Sequence, residues 1–366
     1  MNAELPPKDG RGRSELVAPA EPPELDPAPL FELFRGNIST EVLVAAVAHW
    51  RLFALLDKSP LSWHDLRRQL GLAERPMHVL TTALRALGLL DATAEGSLQL
   101  TKLARCHLLT ESPYYVGDYF SLAAQSPGVI EMIERLRTNK PKGSQPDESG
   151  VGFIYREGVK SAMEDPTGAR AFTLALAGRA KNVAPVLAGV LPLSQAAVLV
   201  DVAGGTGIYS IALLRRNPLL RAIVLDRPEV LRVAEEFRIE SGVADRLELR
   251  AGDMFAGDLP RDADVLLLSN VLHDWDEREC LTLLARCREA MRPGARLVIH
   301  DVFLDDALDG PLPIALYSVA LFTVTEGRAY SVAEYSAMLS KSGMRPLQVL
   351  PTAAHCAALI AVKAED

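Results

Sequence analysis

The sequence predicts an α/β protein in which a mostly helical N-terminal region precedes a region built around a parallel sheet. Residues 195–366 alternate short β-rich runs with helical runs, which is typical of βαβ units. Residues 28–190 instead show helical patterns separated by short turns, with little strand signal before residue 88. The length of 366 residues is sufficient for two domains.

Seven β-rich runs define the expected sheet. They are AVLVDV (197–202), AIVLD (222–226), LELRAG (247–252), DVLLLSN (264–270), ARLVIHD (295–301), RPLQVL (345–350) and CAALIAVK (356–363). Helical runs separate the first five, which we therefore expect to be parallel. The last two are joined by only a few residues, too few for a parallel crossover, so we expect them to pair antiparallel to each other.

The N-terminal region contains a helix–helix–hairpin pattern. Two amphipathic segments, LSWHDLRRQLGL and ERPMHVLTTALRALGLL, are followed by LDATAEGSLQLT, which indicates a hairpin turning at Glu95 and Gly96. This order predicts a winged-helix-like fold, and such folds often bind DNA. However, residues 61–105 carry six Lys or Arg against four Asp or Glu, and the net charge of the chain is −8. Because nucleic-acid binding needs clustered positive charge, we expect no nucleic-acid partner.

A strongly apolar segment, STEVLVAAVAHWRLFALL, precedes this pattern and predicts one helix at about 39–56. So much apolar surface early in the chain favours a buried subunit interface, and hence a homodimer. Residues 1–27 are rich in Pro, Glu and Arg and have no apolar core, so we expect a disordered tail rather than a signal peptide. With no apolar run of about 18 residues, we expect no membrane association and a cytoplasmic protein.

A glycine-rich loop, Asp201-Val-Ala-Gly204-Gly205-Thr-Gly207, follows the first strand of the sheet and opens a helix. Such loops bind several kinds of nucleotide, because glycines let a ligand approach the backbone of a helix N-terminus. The dinucleotide pattern would need a glycine at position 210, which is Ser210. Asp201 would also repel a pyrophosphate, whereas a carboxylate suits a ligand that carries an ammonium and a sulfonium group.

Two further acids end strands of the expected sheet. Asp226 ends the second strand, where ribose hydroxyls are bound in nucleoside-binding α/β folds. Asp253 follows the third strand and precedes Met254 and Phe255, so a carboxylate there can accept from an adenine amino group while the next two side chains cover the ring. Each acid alone could be a loop or helix cap. Three acids at successive strand ends favour a nucleoside site.

The ordered motifs DVAGGTG, VLDRPEV, GDMF, LLSNVLHDWDE and MRPGARLVIHD resemble the class I small-molecule O-methyltransferases, which include plant caffeate-type and bacterial polyketide-tailoring enzymes. The likeness runs from about residue 30 to the C-terminus. It implies a winged-helix-like dimerisation domain followed by a Rossmann-like seven-stranded domain that binds S-adenosylmethionine, with no metal. The cofactor residues that the resemblance and the loop imply are Asp201, Gly204, Gly205, Gly207, Asp226, Asp253, Met254, Phe255, Ser269 and Trp275.

The resemblance also implies a catalytic pair. His273 matches the family's general base, and Asp301 stands, as Asp rather than Glu, in the place of the first acid that holds it. The second acid would lie in the stretch from Gly327 to Ser331, where this chain has Ala329, and Glu326 is three residues away as an open substitute. The alternative is that His273 is a helix-cap histidine. His300 has the opposite strand parity to Asp301 and is expected to be structural.

The expected reaction is methyl transfer to a hydroxyl of a small aromatic molecule. The acceptor candidates are Met163, Phe172, Phe322, Asn270 and Asp274, with Tyr114, Tyr115 and Phe120 from the N-terminal region. C-methylation of a phenol ring, for example in an aromatic amino acid, and N-methylation stay open on the same scaffold. A winged-helix regulator is the non-enzyme alternative. The expected divisions are a tail (1–27), a dimerisation domain (28–115), a helical linker that contributes to the acceptor pocket (116–190) and a methyltransferase domain (191–366).

Overall fold

The computed structural model describes residues 16–140, 166–261 and 263–364. The α-helices in these ranges are α1 (Ala28–Phe34), α2 (Gly36–Val44), α3 (Leu52–Asp57), α4 (Trp63–Leu70), α5 (Glu74–Ala86), α6 (Lys102–His107), α7 (Gly117–Ser121), α8 (Pro127–Thr138), α9 (Pro166–Val190), α10 (Ile208–Arg216), α11 (Pro228–Glu240), α12 (Glu277–Ala290), α13 (Leu312–Val324) and α14 (Val332–Lys341). The strands are β1 (Leu90–Ala92), β2 (Leu98–Leu100), β3 (Val198–Val202), β4 (Arg221–Asp226), β5 (Leu247–Ala251), β6 (Ala263–Ser269), β7 (Met291–Leu304), β8 (Tyr330–Ser331), β9 (Met344–Pro351) and β10 (Cys356–Lys363).

The central sheet has the strand order β5-β4-β3-β6-β7-β10-β9, and β8 pairs with the end of β7. Strands β3 to β7 are parallel, whereas β10 runs antiparallel to both β7 and β9. The α/β class, the seven predicted strands and the antiparallel final pair are therefore confirmed. The sequence does not predict the two-residue β8, which is too short to produce an alternating pattern.

Helices cover both faces of this sheet. Helices α9, α10 and α11 share one apolar core with it, and α12 and α14 share the other. Strand β6 is buried along nearly its whole length, as a strand covered on both faces should be. The parallel strands all end at the same edge of the sheet. This edge is where the polar residues that follow β3, β4, β5 and β6 come together.

The N-terminal part has its own core, and the predicted hairpin is confirmed, because β1 pairs antiparallel with β2. The prediction of one helix at about 39–56 is wrong. Helix α2 passes into a π-helical turn at Ala45–His49, and the chain then reverses at Arg51, whose φ is 47°, before α3 begins. The break lets Val42, Leu52 and Phe53 pack into the core of their own chain. Because these side chains are buried within their own chain, we do not expect this segment to form a subunit interface.

Other apolar side chains of the N-terminal part stay exposed. They lie on α1 and in and after α7: Leu30, Leu33, Phe34, Tyr119 and Leu122. Each is at least 68 % exposed, so these positions are open to a partner in a way that the 39–56 segment is not.

One arginine joins the N-terminal part to the segment between α13 and β8. Arg75, in the first turn of α5, donates from Nη1 to the carbonyl oxygens of Thr325 (2.8 Å) and Gly327 (3.1 Å). Its Nε and Nη2 donate to the side chain and carbonyl of Asn139 at the end of α8. The guanidinium also lies 4.5 Å from the ring centre of Phe322. A single side chain thus ties together three segments that are far apart in sequence.

Within the described ranges, no helix has the length and apolar character needed to cross a membrane. The same ranges contain no group of three or more His, Cys, Asp or Glu side chains that could hold a metal ion.

Candidate active site

A cavity of about 1170 Å³ opens at the carboxyl edge of the sheet and extends beneath the N-terminal helices. Its cofactor half is lined by residues 203–206, Asp226, residues 252–255 and Trp275. Its acceptor half is lined by Phe31, Arg35, Ile38, Phe172, Leu176, Arg179 and Tyr317. His273 and Asp274 line the cavity as well. Because the imidazole packs against Tyr317 of the acceptor half and Trp275 of the cofactor half follows two residues later, we take His273 and Asp274 as the boundary between the halves. The volume exceeds the range of about 300–1000 Å³ usual for one small ligand, so two molecules can be accommodated.

The glycine-rich loop crosses directly over Asp201. A Cβ atom at Gly204 would lie 2.6 Å from the carboxyl carbon of Asp201, so only glycine permits this approach. Asp201 is fully buried, and its Oδ2 accepts from the hydroxyl of Ser210 at 2.7 Å. Among the described residues, its Oδ1 accepts no hydrogen bond. Burial raises the pKa of Asp201 to about 7. Asp201 therefore packs against the loop without lining the cavity. The hydroxyl of Ser210, the residue that departs from the dinucleotide pattern, donates the hydrogen bond to it.

Asp226 occupies the end of β4 and faces the cavity. Its Oδ2 accepts from the backbone N–H of Gly205 at 2.8 Å, and its Oδ1 accepts from that of Arg227 at 2.7 Å. Burial raises its pKa to about 6, against the opposing effect of these two hydrogen bonds. A carboxylate held this way can accept further hydrogen bonds from hydroxyl groups of a ligand.

The next turn places an acid beside two rings. The Asp253 carboxylate accepts from the backbone N–H of Phe255 at 2.8 Å, which fixes the turn after β5. The rings of Phe255 and Trp275 meet edge to face, with centroids 4.7 Å apart. Met254 lines the same wall, and its carbonyl accepts from the Nε of Arg286 at 2.8 Å. This arrangement offers a flat apolar slot with a carboxylate at its rim.

His273 lies in a short 3₁₀ turn after β6, and the structure brings it into contact with Asp301 of β7. Its Nδ1 lies 2.6 Å from Oδ1 of Asp301, which also accepts from the backbone N–H of Val302. Because a carboxylate only accepts, Nδ1 carries the hydrogen and leaves Nε2 as the basic nitrogen. His273 is 4 % exposed. Burial lowers the pKa of the imidazole, but Asp301 and then Asp274 outweigh burial and raise it above its ordinary value.

Asp274 is the second carboxylate near the imidazole. Its Oδ1 lies 3.5 Å from Nε2 of His273, and burial raises its pKa to about 6. Ala329, in the place of the family's second acid, is fully buried and its N–H bonds to Ser318. Glu326 instead approaches through its backbone, whose N–H donates to the carbonyl of Asp274 at 3.2 Å.

The backbone of Gly327 packs against the turn that carries His273. A Cβ atom there would lie 2.2 Å from the carbonyl oxygen of His273 and 2.5 Å from the nitrogen of Trp275. The loop after α13 therefore contacts and supports the main chain at His273.

His300 faces the opposite way from Asp301, as expected, with its Nδ1 2.8 Å from the hydroxyl of Ser269.

The acceptor half departs most from the sequence-based expectations. Phe172 lines the cavity, as do Asn270 and Asp274. Phe322 does not, because it faces the N-terminal core, where it is fully buried beneath Arg75. The proposed tyrosines and phenylalanine of the N-terminal region also lie elsewhere: Tyr114 is 66 % exposed, Tyr115 packs against Gly117, and Phe120 joins the N-terminal core. Met163 lies outside the described residues.

Several polar residues that line the cavity are not predicted from the sequence, among them Arg35, Arg179, Tyr209 and Tyr317. Arg179 donates to Oδ1 of Asn270, whose Nδ2 in turn lies 3.2 Å from the hydroxyl of Tyr209. Tyr317 packs edge to face on the imidazole of His273, with centroids 5.7 Å apart. A signal for Arg179 existed in the sequence, because it lies seven residues after Phe172 and so on the same helix face.

The residues of the cofactor half fit S-adenosylmethionine. The carboxylates of Asp226 and Asp253 line this half of the cavity, where they suit a ligand that carries hydroxyl and amino groups better than one that carries a pyrophosphate. Asp226 suits ribose hydroxyls, and the slot between Phe255 and Asp253 suits a purine. Gly207 lies outside the cavity lining and begins α10 as its N-cap.

Residues 149–345 match the model of the O-methyltransferase domain family. The chain belongs to this family. It is 32 % identical over 324 residues to 3-hydroxy-5-methyl-1-naphthoate 3-O-methyltransferase of Streptomyces sahachiroi, covering 88 % of this chain and 90 % of that protein. It is 29 % identical over 306 residues to L-tyrosine C(3)-methyltransferase of Streptomyces lavendulae, covering 82 % of each.

Among solved structures, the chain resembles an O-methyltransferase family 2 protein from Planctomyces limnophilus, crystallised with apigenin. The TM-score is 0.85 and the identity 46 %, covering 94 % of this chain and 98 % of that chain. The protein is therefore an S-adenosylmethionine-dependent O-methyltransferase, as the sequence motifs predict.

Proposed function

We propose that this O-methyltransferase methylates a hydroxyl group of a small aromatic, polyketide-like molecule, with His273 as the general base. The observation that carries the proposal is the buried pair of His273 and Asp301, whose nitrogen and oxygen lie 2.6 Å apart at the boundary between the two halves of the cavity. A hydroxyl bound in the acceptor half can reach the free Nε2 from that side.

The acceptor hydroxyl must lose its proton during methylation, and it is a weaker acid than the histidine that would receive the proton. A phenol has a pKa near ~10 and a histidine near ~6.5, so complete proton transfer before reaction would cost about 5 kcal/mol. Asp301 reduces this cost because it stabilises the imidazolium through Nδ1. Asp274, at 3.5 Å from Nε2, acts in the same direction. Proton transfer can also accompany methyl transfer rather than precede it.

The residues of the cofactor half bind and orient the methyl donor. When bound, S-adenosylmethionine supplies an activated methyl group and leaves as S-adenosylhomocysteine. The remaining task of the protein is alignment, which contributes much of the rate enhancement in displacement reactions. The apolar side chains Phe31, Ile38, Phe172 and Leu176 exclude water from the acceptor half and pack on an aromatic ring.

The names of relatives support the acceptor class. One relative methylates a hydroxynaphthoate, and the structure from Planctomyces limnophilus holds apigenin, a polyhydroxylated aromatic compound. A panel of phenols, hydroxynaphthoates, flavones and tyrosine, incubated with methyl-labelled cofactor, tests the proposal. We expect label in aryl methyl ethers, located by NMR. Label on nitrogen alone, or in no compound although the protein binds cofactor, would contradict it.

C-methylation of a phenol ring is the second candidate, because one relative is an L-tyrosine C(3)-methyltransferase. Ring attack also begins with loss of the phenol proton, so His273 would keep its role. The NMR analysis of the same products separates the two outcomes, since a ring methyl replaces an aromatic C–H and leaves the hydroxyl free.

We further propose that residues 28–115 form a winged-helix-like dimerisation domain and that the protein is a homodimer. The exposed apolar residues on α1 and around α7 support this proposal, in place of the 39–56 segment. Light scattering should give twice the chain mass at micromolar concentration. Replacement of Leu33 and Phe34 by Asp should give monomers, whereas the same change at exposed Leu219, in the methyltransferase domain, should not.

A further inference from the structure

Two arginine side chains line the acceptor half, and both lie near the ring of Tyr317. Arg35, between α1 and α2, places its guanidinium carbon 4.1 Å from the centre of the Tyr317 ring. Arg179, on α9, lies 5.7 Å from the same centre. The Tyr317 ring also contacts His273, at a centroid distance of 5.7 Å. Both cations therefore lie within the span of one small ligand that reaches the imidazole.

Neither arginine has a carboxylate partner in the part of the chain that the structure describes. Arg179 donates to the neutral amide oxygen of Asn270 and, at 3.0 Å, to the sulfur of Cys356. Over the described ranges, the Arg35 guanidinium makes ring contacts, with Phe31 and Tyr317, and no hydrogen bond or ion pair. Arg328 is a contrast within the same molecule, because it is buried and pairs with Glu334 at 2.5 Å.

Within the described residues, no acid forms an ion pair with either guanidinium. Asp274 lies beside His273, and Glu41 accepts from the amide of Asn37 at 2.9 Å. Glu32 is near Arg35, but its carboxylate is held by the imidazole of His355 at 2.8 Å. Burial acts to lower the pKa of Arg179, but Cys356, Tyr317 and, more weakly, Asp301 raise it, so Arg179 keeps its charge.

A partly buried guanidinium without an anion is energetically unfavourable, because water is removed and nothing replaces it. Burial accordingly lowers the pKa of Arg35. The planar fork of a guanidinium matches the two oxygens of a carboxylate better than it matches a single hydroxyl. An apolar pocket with two such groups on one wall has the composition of an anion-binding subsite.

We propose that the acceptor of this enzyme is an aromatic hydroxy acid, whose carboxylate binds between Arg35 and Arg179 while its hydroxyl meets Nε2 of His273. This inference rests on the proposed function and specifies its substrate class. Tyr317 separates the carboxylate site from the imidazole. The hydroxyl and the carboxyl group of the acceptor are therefore separated across the ring system rather than on adjacent carbons.

Matched acceptors test the charge directly. Hydroxynaphthoic and hydroxybenzoic acids are compared with their methyl esters, which keep the hydroxyl and the ring and lose the anion. We expect kcat/KM to be at least about tenfold higher for the acids, the value of a hydrogen bond to a charged group. Calorimetry without the methyl donor should show the same preference in binding.

Substitutions of Arg35 and Arg179 test whether these two side chains cause the preference for acids over esters. Arg35→Gln and Arg179→Gln should each lower the acid-to-ester ratio of kcat/KM, and of affinity, about tenfold or more, whatever their common effect on both classes. Arg35→Lys and Arg179→Lys should restore part of the loss because they keep the charge. Arg232→Gln, at an exposed position of α11 outside the cavity, is the control and should change neither class. Thermal unfolding of each variant checks that it folds.

Two failures can be told apart. If esters and acids react equally, and the Gln variants slow both alike, the anion subsite is wrong and the O-methyltransferase proposal stands. If acids bind through the arginines but no hydroxyl is methylated, the subsite stands and the proposed acceptor chemistry is wrong.

Discussion

The two halves of the cavity differ in how the chain builds them. The cofactor half comes from loops that directly follow β3, β4, β5 and β6, all within residues 201–275. The acceptor half comes from α1, α2, α9 and α13, which lie between Ala28 and Val324 in the sequence. Strand ends are a local property of the sequence, whereas the meeting of distant helices depends on tertiary packing. The cofactor half was consequently predictable, and most of the acceptor half was not.

Substitution of His273, the proposed general base between the two halves, gives the largest expected effect. His273→Ala should reduce turnover by about two to four orders of magnitude, because it removes proton transfer. Calorimetry should show unchanged affinity for S-adenosylmethionine, since the side chain belongs to the boundary wall. A loss that shrinks as the pKa of the acceptor falls is expected for a general base. A small loss of equal size for every acceptor would contradict the assignment and leave His273 a positioning residue.

Asp301→Asn should reduce the plateau rate about 10- to 100-fold, the value of a hydrogen bond to a charged group. It should also move the acidic limb of the kcat/KM profile to lower pH. Neutral imidazole is the active form and predominates above its pKa. Asp301 raises that pKa in the native protein, so the variant should become active at lower pH than the native enzyme. If the apparent pKa of the acidic limb is the same in the variant and the native enzyme, Asp301 does not raise the pKa of His273.

Asp226→Asn tests the cofactor half alone. It should weaken binding of S-adenosylmethionine and S-adenosylhomocysteine about tenfold or more above pH 7, because the amide is a weaker acceptor for hydroxyl groups. In the native protein the pKa of Asp226 is raised to about 6, so affinity should decline as pH falls through that value. The variant should lose this component. Calorimetry at pH 5.0 to 8.0 measures both effects, and equal pH profiles would contradict the ribose assignment.

Gly327→Ala gives the smallest expected effect and probes the contact beneath the boundary wall. The added methyl group would meet the backbone of His273 and Trp275, so overpacking should cost about 1–3 kcal/mol of stability. Turnover should fall while cofactor affinity changes little. Gly178→Ala in α9 is the matched control, because no atom lies within 4 Å of its added Cβ. Equal melting temperatures for the two variants would contradict the bracing role.

The number and direction of the main sheet strands could be predicted from the sequence, because alternating β-rich and helical runs indicate parallel strands and one short final link indicates an antiparallel pair. Their spatial order was not predicted. The failures have physical causes. The apolar segment 39–56 has helical composition throughout and contains no Gly or Pro to mark the break at Arg51. After the break, α3 packs against β2 and α6, a tertiary contact that composition does not reveal. Phe322 and Tyr317 occupy one helix, and composition alone could not tell which face meets the cavity.

The Arg75 contact bears on how this protein can be recombined with its relatives. An exchange of the N-terminal region would transfer Phe31 and Arg35 of the acceptor half without disturbing the strand-end loops. However, Arg75 donates hydrogen bonds to carbonyl groups of the loop that contacts the main chain of His273, the proposed base. A chimera whose incoming segment lacks an arginine at this position would gain a new acceptor specificity. It would also lose the hydrogen bonds that hold the loop beside His273, so we expect the position of His273 to be less well defined. Retention of Arg75 at the crossover is therefore a condition for changing the acceptor while keeping the rate.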